Sequence, residues 1–229
     1  MQLLAERRHN KMKTKNEIRK LIFAERRELT AVQLEEKSRS IAAKICALDV
    51  YKKCRAVYIY LDCRKEPKTG DIIDRAWADG KKVCVPKIVP AGPEGRSAEG
   101  KAAEENGNGM QDRKMIFCPL KSFDELSPGF FGILEPKAAC GCSDGSDGSG
   151  DTSGVKDKDI LVVMPGVAFD RRRHRIGYGG GFYDRFLERH ADMHTAALAF
   201  DFQVFSEVPC EDNDISPGML ITESELIQE

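Results

Sequence analysis

The sequence predicts an α/β fold: a single domain of three layers, with helices packed on both faces of a mostly parallel, twisted sheet. Two observations carry this expectation. Residues 56–61 (AVYIYL), 69–80 (TGDIIDRAWADG) and 82–86 (KVCVP) read as strand, amphipathic helix and strand, the order of a βαβ unit with parallel strands. Residues 159–165 (DILVVMP) form a continuous apolar run ending in proline, and a strand without polar alternation is one covered on both faces. A chain of 229 residues is long enough for one sizeable core.

The remaining elements follow in order. Residues 15–49 read as helix, with apolar residues recurring at Ile18, Leu21 and Ile22 and again at Leu34, Ile41, Ile45 and Leu48, close to a 3.6-residue period. Thr30, with Gln33 three residues on, is the signature of a capping box and starts a second helix there. Gly80 is the expected C-terminal stop of the helix over 69–80. Residues 114–119 (KMIFCP) read as an antiparallel or edge strand. A helix is expected from Gly180 to His190, presenting Phe182, Phe186 and Leu187 on one face. Residues 196–200 (AALAF) form another buried strand, followed by a short strand over 219–222 and a short helix at the end. Residues 1–14 are expected to be a flexible extension ahead of one domain over 15–229. The stretches near 90–112 and 137–158 are low in complexity, and each reads as a loop excursion from that domain.

Composition narrows the function. Hydrophobic residues make up 41% and charged residues 32%, and the formal net charge of -1 gives no basis for nucleic-acid binding. No apolar run is long enough to span a membrane. The first residues are basic but lack an apolar stretch, so a cytoplasmic protein is expected ahead of a mitochondrial one. Of the eight cysteines only Cys140 and Cys142 are close, and no second pair stands at zinc-ligand spacing. Most of the cysteines therefore read as core or surface thiols.

The chemical signal lies in residues 164–185, MPGVAFDRRRHRIGYGGGFYDR. A buried strand empties into a loop that carries basic side chains, then Gly177, Gly179, Gly180 and Gly181, then a helix. Open α/β sheets bind ligands at the carboxyl ends of their strands. Glycines let backbone amides approach a ligand closely, and guanidinium groups match phosphate geometry. This is the pattern of a phosphate-cradling loop, with Arg175 as its foremost cation. It is neither a Walker motif nor a dinucleotide fingerprint. Asp184 either serves as favourable charge at a helix start or holds Mg²⁺ beside phosphates, and Glu211, Asp212 and Asp214 offer a second carboxylate. Tyr178, Phe182 and Tyr183 stack on a flat heterocycle or fill the core.

This ordered string resembles the signature of the 5-formyltetrahydrofolate cyclo-ligase (5,10-methenyltetrahydrofolate synthetase) family. Supporting matches are Lys15-x-x-Ile18-Arg19, Glu66-Pro67-x-Thr69, Lys82-Val83-x-x-Pro86, Phe131-Gly132-Ile133-x-Glu135-Pro136 and Ala197-Leu198-Ala199-Phe200, over most of residues 15–225. The resemblance implies a fold similar to the sugar-phosphate isomerase and CoA transferase architecture. It implies a monomeric enzyme that uses ATP and Mg²⁺ to convert 5-formyltetrahydrofolate, which can carry a polyglutamate tail, to 5,10-methenyltetrahydrofolate with release of ADP and phosphate. In that reaction the formyl oxygen is phosphorylated and N10 then closes the ring. Position by position, the resemblance implies that Lys15, Arg19 and Arg175 act on the nucleotide phosphates. It implies that Arg175, Ile176, Gly177, Tyr178, Gly179, Gly180, Gly181, Phe182 and Tyr183 form the ATP loop, with Tyr178 and Phe182 also bordering the folate. Glu66 resembles the carboxylate that fixes the pterin ring, Leu61 and Phe131 its pocket walls, and Asp184 and Asp214 the Mg²⁺ ligands.

Three positions depart from the family pattern. Arg173 and Gly180 stand where relatives often carry glycine and lysine, which raises the expectation that Arg171 or Arg173 supplies phosphate-binding charge. Gly218 stands where an acid is usual. Two other functions fit the same residues: another nucleotide- or sugar-phosphate-binding enzyme on a similar sheet, and a non-catalytic folate-binding protein.

Overall fold

A computed structural model describes residues 14–91, 113–129, 132–137 and 155–228. The two low-complexity stretches and the extension before Thr14 fall almost wholly outside the described residues.

Two capped helices open the fold. Helix α1 (Lys15–Glu28) begins at Thr14, whose hydroxyl accepts from the Glu17 amide while the Glu17 carboxylate accepts from the Thr14 amide at 2.8 Å. Helix α2 (Ala31–Ala47) begins with the same reciprocal pair at Thr30 and Gln33. A short helix α3 (Asp49–Lys53) leads into β1 (Ala56–Ile59), then α4 (Gly70–Ala78) and β2 (Lys82–Pro90). Gly80 takes a φ of +70° just after α4, the left-handed turn that a glycine stop supplies. Strand β3 (Arg113–Pro119) and the hairpin of β4 (Leu126–Pro128) and β5 (Leu134–Pro136) precede the central strand β6 (Ile160–Met164). The chain continues through β7 (Ala168–Asp170), β8 (Arg175–Ile176), α5 (Phe182–Leu187), β9 (His194–Leu198), β10 (Val204–Phe205), β11 (Met219–Ile221) and β12 (Leu226–Gln228).

The main sheet runs β12-β11-β9-β6-β1-β2-β3. Pairings from β11 through β2 are parallel, and β3 and β12 close the two edges antiparallel. Side chains alternate strictly across it. Val57, Ile59, Leu161 and Val163 point to the face covered by α2 and α4, where they meet Ile41, Ile45, Ile72 and Ile73. Tyr58, Val162 and Met164 point to the other face, against Phe117, Phe186 and Leu187. Both faces are dry, as the unbroken apolar run of β6 requires.

A third, smaller cluster matters most for function. Ile18 and Ile22 of α1 pack on Val167, Ala168, Ile176 and Val208, which belong to the small sheet β10-β7-β8 and its continuation. Helix α1 is thus seated on the segment that follows β6.

Two elements differ from the sequence expectation. The last residues form strand β12 instead of a helix, because Leu226, Ile227 and Gln228 alternate in exposure and pair with the open edge of β11. The helix expected from Gly180 begins only at Phe182 and has 6 residues, because Gly181 sits at φ +61° and so lies outside the helical region. Of the cysteines, Cys46, Cys54, Cys63, Cys84 and Cys210 are free thiols, whereas Cys118 is disulfide-bonded.

Candidate active site

From β1 the chain proceeds to β2 on one side, and from β6 to β9 on the other. The strand order therefore reverses between β1 and β6, and a crevice must open beyond their carboxyl ends. A cavity of about 920 Å³ lies there, bounded by Tyr60 and Leu61 after β1 and by Pro165 after β6.

Its inner end is built around Glu66, which is only 3% exposed. The Cys63 amide donates to one carboxylate oxygen at 3.0 Å and the Tyr178 hydroxyl donates to the other. Arg26 of α1, 1% exposed, donates to that hydroxyl at 2.5 Å and to the Gly166 carbonyl at 2.7 Å. Burial pushes the Glu66 carboxyl above the ordinary carboxylate range, and the charge of Arg26 and the bond from Tyr178 pull against it. The turn leading to Glu66 places Arg64 and Lys65 at φ +50° and +53°, unusual for side-chain-bearing residues. The Lys65 ammonium holds this turn by donating to the Arg27 and Leu29 carbonyls at the end of α1, at 2.7 and 2.6 Å. Burial also lifts the Cys63 thiol to about 12, so it stays neutral. Pro86, Ile88, Met115 and Ile133 supply apolar walls, and Glu135 a second buried carboxylate.

The outer end is the glycine loop. Gly179 and Gly181 lie at φ +99° and +61°, conformations that glycine adopts at little cost. Two of the glycines, Gly177 and Gly181, also make room for arginines, whereas a side chain at Gly179 would only touch one. A Cβ on Gly177 would lie 2.9 Å from a guanidinium nitrogen of Arg175, one on Gly181 would lie 2.9 Å from Arg185, and one on Gly179 would lie 3.8 Å from Arg19. The Arg19 Nε donates to the Gly177 carbonyl at 2.9 Å, and the Arg185 guanidinium sits over the Phe182 ring at 5.0 Å. Because α5 is short, these cations and the loop's own amides, not a long helix dipole, set the electrostatics here.

Carboxylates hold the cations in place. Arg175 donates to Asp184 at 2.7 Å and to the Pro165 carbonyl at 3.3 Å, and its buried Nε has no hydrogen-bond partner among the described residues. Asp184 also accepts from the Ile215 amide at 3.1 Å, which brings the 211–215 segment alongside it. Lys15 reaches Asp214 at 2.7 Å and Glu211 at 2.9 Å. Partial burial draws the Lys15 pKa down, but its bonds to Asp214 and Glu211 outweigh this and leave it raised. At Asp214 partial burial acts upward, and the bonds from Lys15 and the Glu211 amide outweigh it, leaving that carboxyl lowered.

The cavity thus brings together Lys15, Arg19, Leu61, Glu66, Arg175, Gly177, Tyr178, Gly179, Gly180, Gly181, Phe182, Tyr183, Asp184 and Asp214. Ile176 is not among the residues that line the cavity. Alternation along β8 turns its side chain into the cluster under α1, and its carbonyl is taken by the Val167 amide at 2.7 Å. Phe131 lies outside the described residues. Arg171 and Arg173 do not line the cavity. Arg171 pairs with Glu225 at 2.9 Å, and Arg173, at φ +71° in the turn between β7 and β8, donates to the Pro217 carbonyl at 3.1 Å. The added cation at the glycine loop is Arg185. Sequence reading also passed over Arg26, although its spacing of four from Ile22 and eight from Ile18 marks it as facing the core.

Fold and site together define an open α/β protein with a ligand crevice at a topological switch point, largely apolar with two buried acids, Glu66 and Glu135, at its inner end and lined by paired cations and carboxylates at its mouth. A model of the 5-formyltetrahydrofolate cyclo-ligase family matches residues 11–223, and the chain belongs to that family of enzymes. The probable 5-formyltetrahydrofolate cyclo-ligase of Schizosaccharomyces pombe is 24% identical over 230 residues, covering 93% of this chain and 97% of that protein. The 5-formyltetrahydrofolate cyclo-ligase of Escherichia coli K12 is 27% identical over 208 residues, covering 90% and 98%. The NMR structure of Aquifex aeolicus 5,10-methenyltetrahydrofolate synthetase superposes with a TM-score of 0.67 at 26% identity, covering 93% of this chain and 92% of that one. The synthetase structure from Mycoplasma pneumoniae, 16% identical with a TM-score of 0.60, shares the fold.

Proposed function

We propose that this chain cyclises 5-formyltetrahydrofolate to 5,10-methenyltetrahydrofolate, consuming ATP with Mg²⁺ and releasing ADP and phosphate. The observation that carries the proposal is a single cavity joining a buried carboxylate to a glycine loop ringed by Lys15, Arg19, Arg175 and Arg185. A flat, donor-edged heterocycle suits the first end and a polyphosphate the second.

The chemistry explains why both are needed. The formyl group on N5 is amide-like, and its oxygen is a poor leaving group. Transfer of the γ-phosphoryl group to that oxygen, with ADP departing, makes it a good one. N10 then bonds to the formyl carbon, the carbon–oxygen bond breaks, phosphate leaves, and the N10 proton is lost. Little side-chain chemistry is required, so positioning and charge stabilisation supply most of the acceleration. Glu66 accepts from the pterin edge while Leu61 and the other apolar walls exclude water. Lys15, Arg19 and Arg175 hold the phosphates against the amides of Gly177–Gly181.

The residues fit Mg²⁺ only as a companion of the nucleotide. Among the described residues no group of three acidic, histidine or cysteine side chains forms a metal cluster. Asp184 and Asp214 provide two carboxylates, and Mg²⁺ ordinarily takes one or two, with water and phosphate oxygens completing its shell. When bound, the ion would neutralise phosphate charge. Asp184 and Asp214 would then exchange part of their present bonds to Arg175 and Lys15 for metal contacts.

The direct test is absorbance in the methenyl product's band after mixing protein, MgATP and 5-formyltetrahydrofolate. Growth of that band with stoichiometric ADP is the expected result, and its absence with correctly folded protein refutes the reading.

A further inference from the structure

Arg26 is the least expected group in the site. It stands on α1 among the apolar residues that dock the helix, almost fully out of water, where an unbalanced guanidinium is strongly unfavourable. Its nearest carboxylate oxygen, on Glu66, is 3.9 Å away, too far for a direct hydrogen bond. The contact between them runs through Tyr178. Arg26 Nη1 donates to the tyrosine hydroxyl, which therefore has to aim its own proton elsewhere, and that proton goes to Glu66. Arg26 Nη2 donates to the Gly166 carbonyl, so one fork grips both ends of the segment from the exit of β6 to the glycine loop. Its Nε is left buried and unpartnered among the described residues, so the fork is satisfied ahead of the rest of the group.

We propose that Arg26 is a positioning residue for substrate recognition: through the Tyr178 hydroxyl it fixes the orientation of the Glu66 carboxylate and ties that acid to the phosphate loop. The inference rests on reading Glu66 as the acid that receives the pterin. Glu66 accepts from Tyr178 on one oxygen and from the Cys63 amide on the other, with a further bond from the neighbouring Cys63 thiol, the weak donor that a two-donor edge would displace. Without Arg26 the hydroxyl could rotate and the carboxylate would lose its fixed plane.

The test compares wild type with Arg26→Leu, Arg26→Lys and Tyr178→Phe, measuring KM for 5-formyltetrahydrofolate and for ATP together with the thermal midpoint. Arg26→Leu and Tyr178→Phe should raise the folate KM about 10-fold or more relative to the ATP KM, the scale of a lost hydrogen bond to a charged group. Arg26→Lys, a point charge without the fork, should recover part of that loss. If Arg26→Leu does not fold, Tyr178→Phe decides alone, since its ring keeps the stacking partner Phe23. An unchanged ratio of the two KM values in Tyr178→Phe, whatever the midpoint does, overturns the proposal while leaving the function intact. If wild type binds 5-formyltetrahydrofolate by calorimetry but makes no product, the function fails, and the same variants are judged by their Kd. Absence of any binding by wild type overturns both.

Discussion

At the scale of single residues, the role proposed for Glu66 predicts separate effects on the two proposed substrates. Glu66→Gln keeps the shape but replaces one acceptor oxygen with a donor nitrogen, so the folate KM should rise about 10-fold or more and the ATP KM far less. Steady-state kinetics with each substrate varied in turn checks this, and an equal or reversed effect removes Glu66 from the pterin end. Its pH behaviour has a definite sign. Because burial raises the folded pKa, the unfolded chain ionises first, and Glu66 works against stability as pH climbs from the ordinary carboxylate range through the raised value. Acidification through that window restores the lost stability but protonates the acceptor, so the folate KM should rise at a pH where ordinary carboxylates are still ionised. Glu66→Gln should abolish that pH dependence. Asp184→Asn should lower kcat by a factor on the order of 10² while the fold survives, the scale of losing one preorganised charge contact. Near-normal turnover would take Asp184 out of the metal site. Much at this scale was legible in the sequence, because four glycines fall between Arg175 and Asp184 within ten residues. Arg26 was not, since a buried cation inside an apolar stripe shows its partners only once residues 166 and 178 are in place. The direction of the Ile176 side chain was not legible either, because contiguity with a glycine loop says nothing about which way a strand's alternation points each residue.

At the scale of elements, the turn between β7 and β8 and the glycine loop are close in sequence but serve different ends. The buried Asp170 carboxylate organises the first of them, accepting from the Arg172 and His174 amides at 2.9 and 3.1 Å and pairing with the His174 ring. Two of the basic side chains at its tip, Arg171 and Arg173, are directed to Glu225 and Pro217, away from the cavity. Arg173→Ala should therefore leave the ATP KM within about twofold, as expected for a surface change remote from the site. Most elements could be read from periodicity and capping chemistry, including both Thr-initiated helices. The terminal strand could not, because three alternating residues are too short a signal and its partner edge, β11, is known only from the sheet. Thr14→Ala would remove one half of the α1 cap, and it should lower stability by about 1 kcal/mol. Since α1 carries Lys15, Arg19 and Arg26, activity in that variant should fall with temperature sooner than the loss of secondary structure seen by circular dichroism.

At the scale of the whole molecule, the two apolar faces of the sheet carry stability and its carboxyl edge carries chemistry. Leu161→Ala, at a fully buried position of the central strand, should cost about 2–5 kcal/mol in urea unfolding without changing the substrate preference of the enzyme that remains. Chelation alone should leave the thermal midpoint of the ligand-free protein unchanged, whereas saturating MgATP should raise it, by about 2.7 kcal/mol in stability at a ligand concentration of 100 Kd. A midpoint that falls on chelation would mean a resident metal. The seating of α1 has a temporal consequence. The helix leaves the ribosome well before the residues it docks on, from Val167 to Val208, have been made. Every new chain must carry this amphipathic segment unpartnered until those residues emerge, and the crevice closes only when the segment comes home. On refolding from denaturant, the fluorescence of Trp77, which lies on α4 far along the chain from this late contact, should recover ahead of turnover.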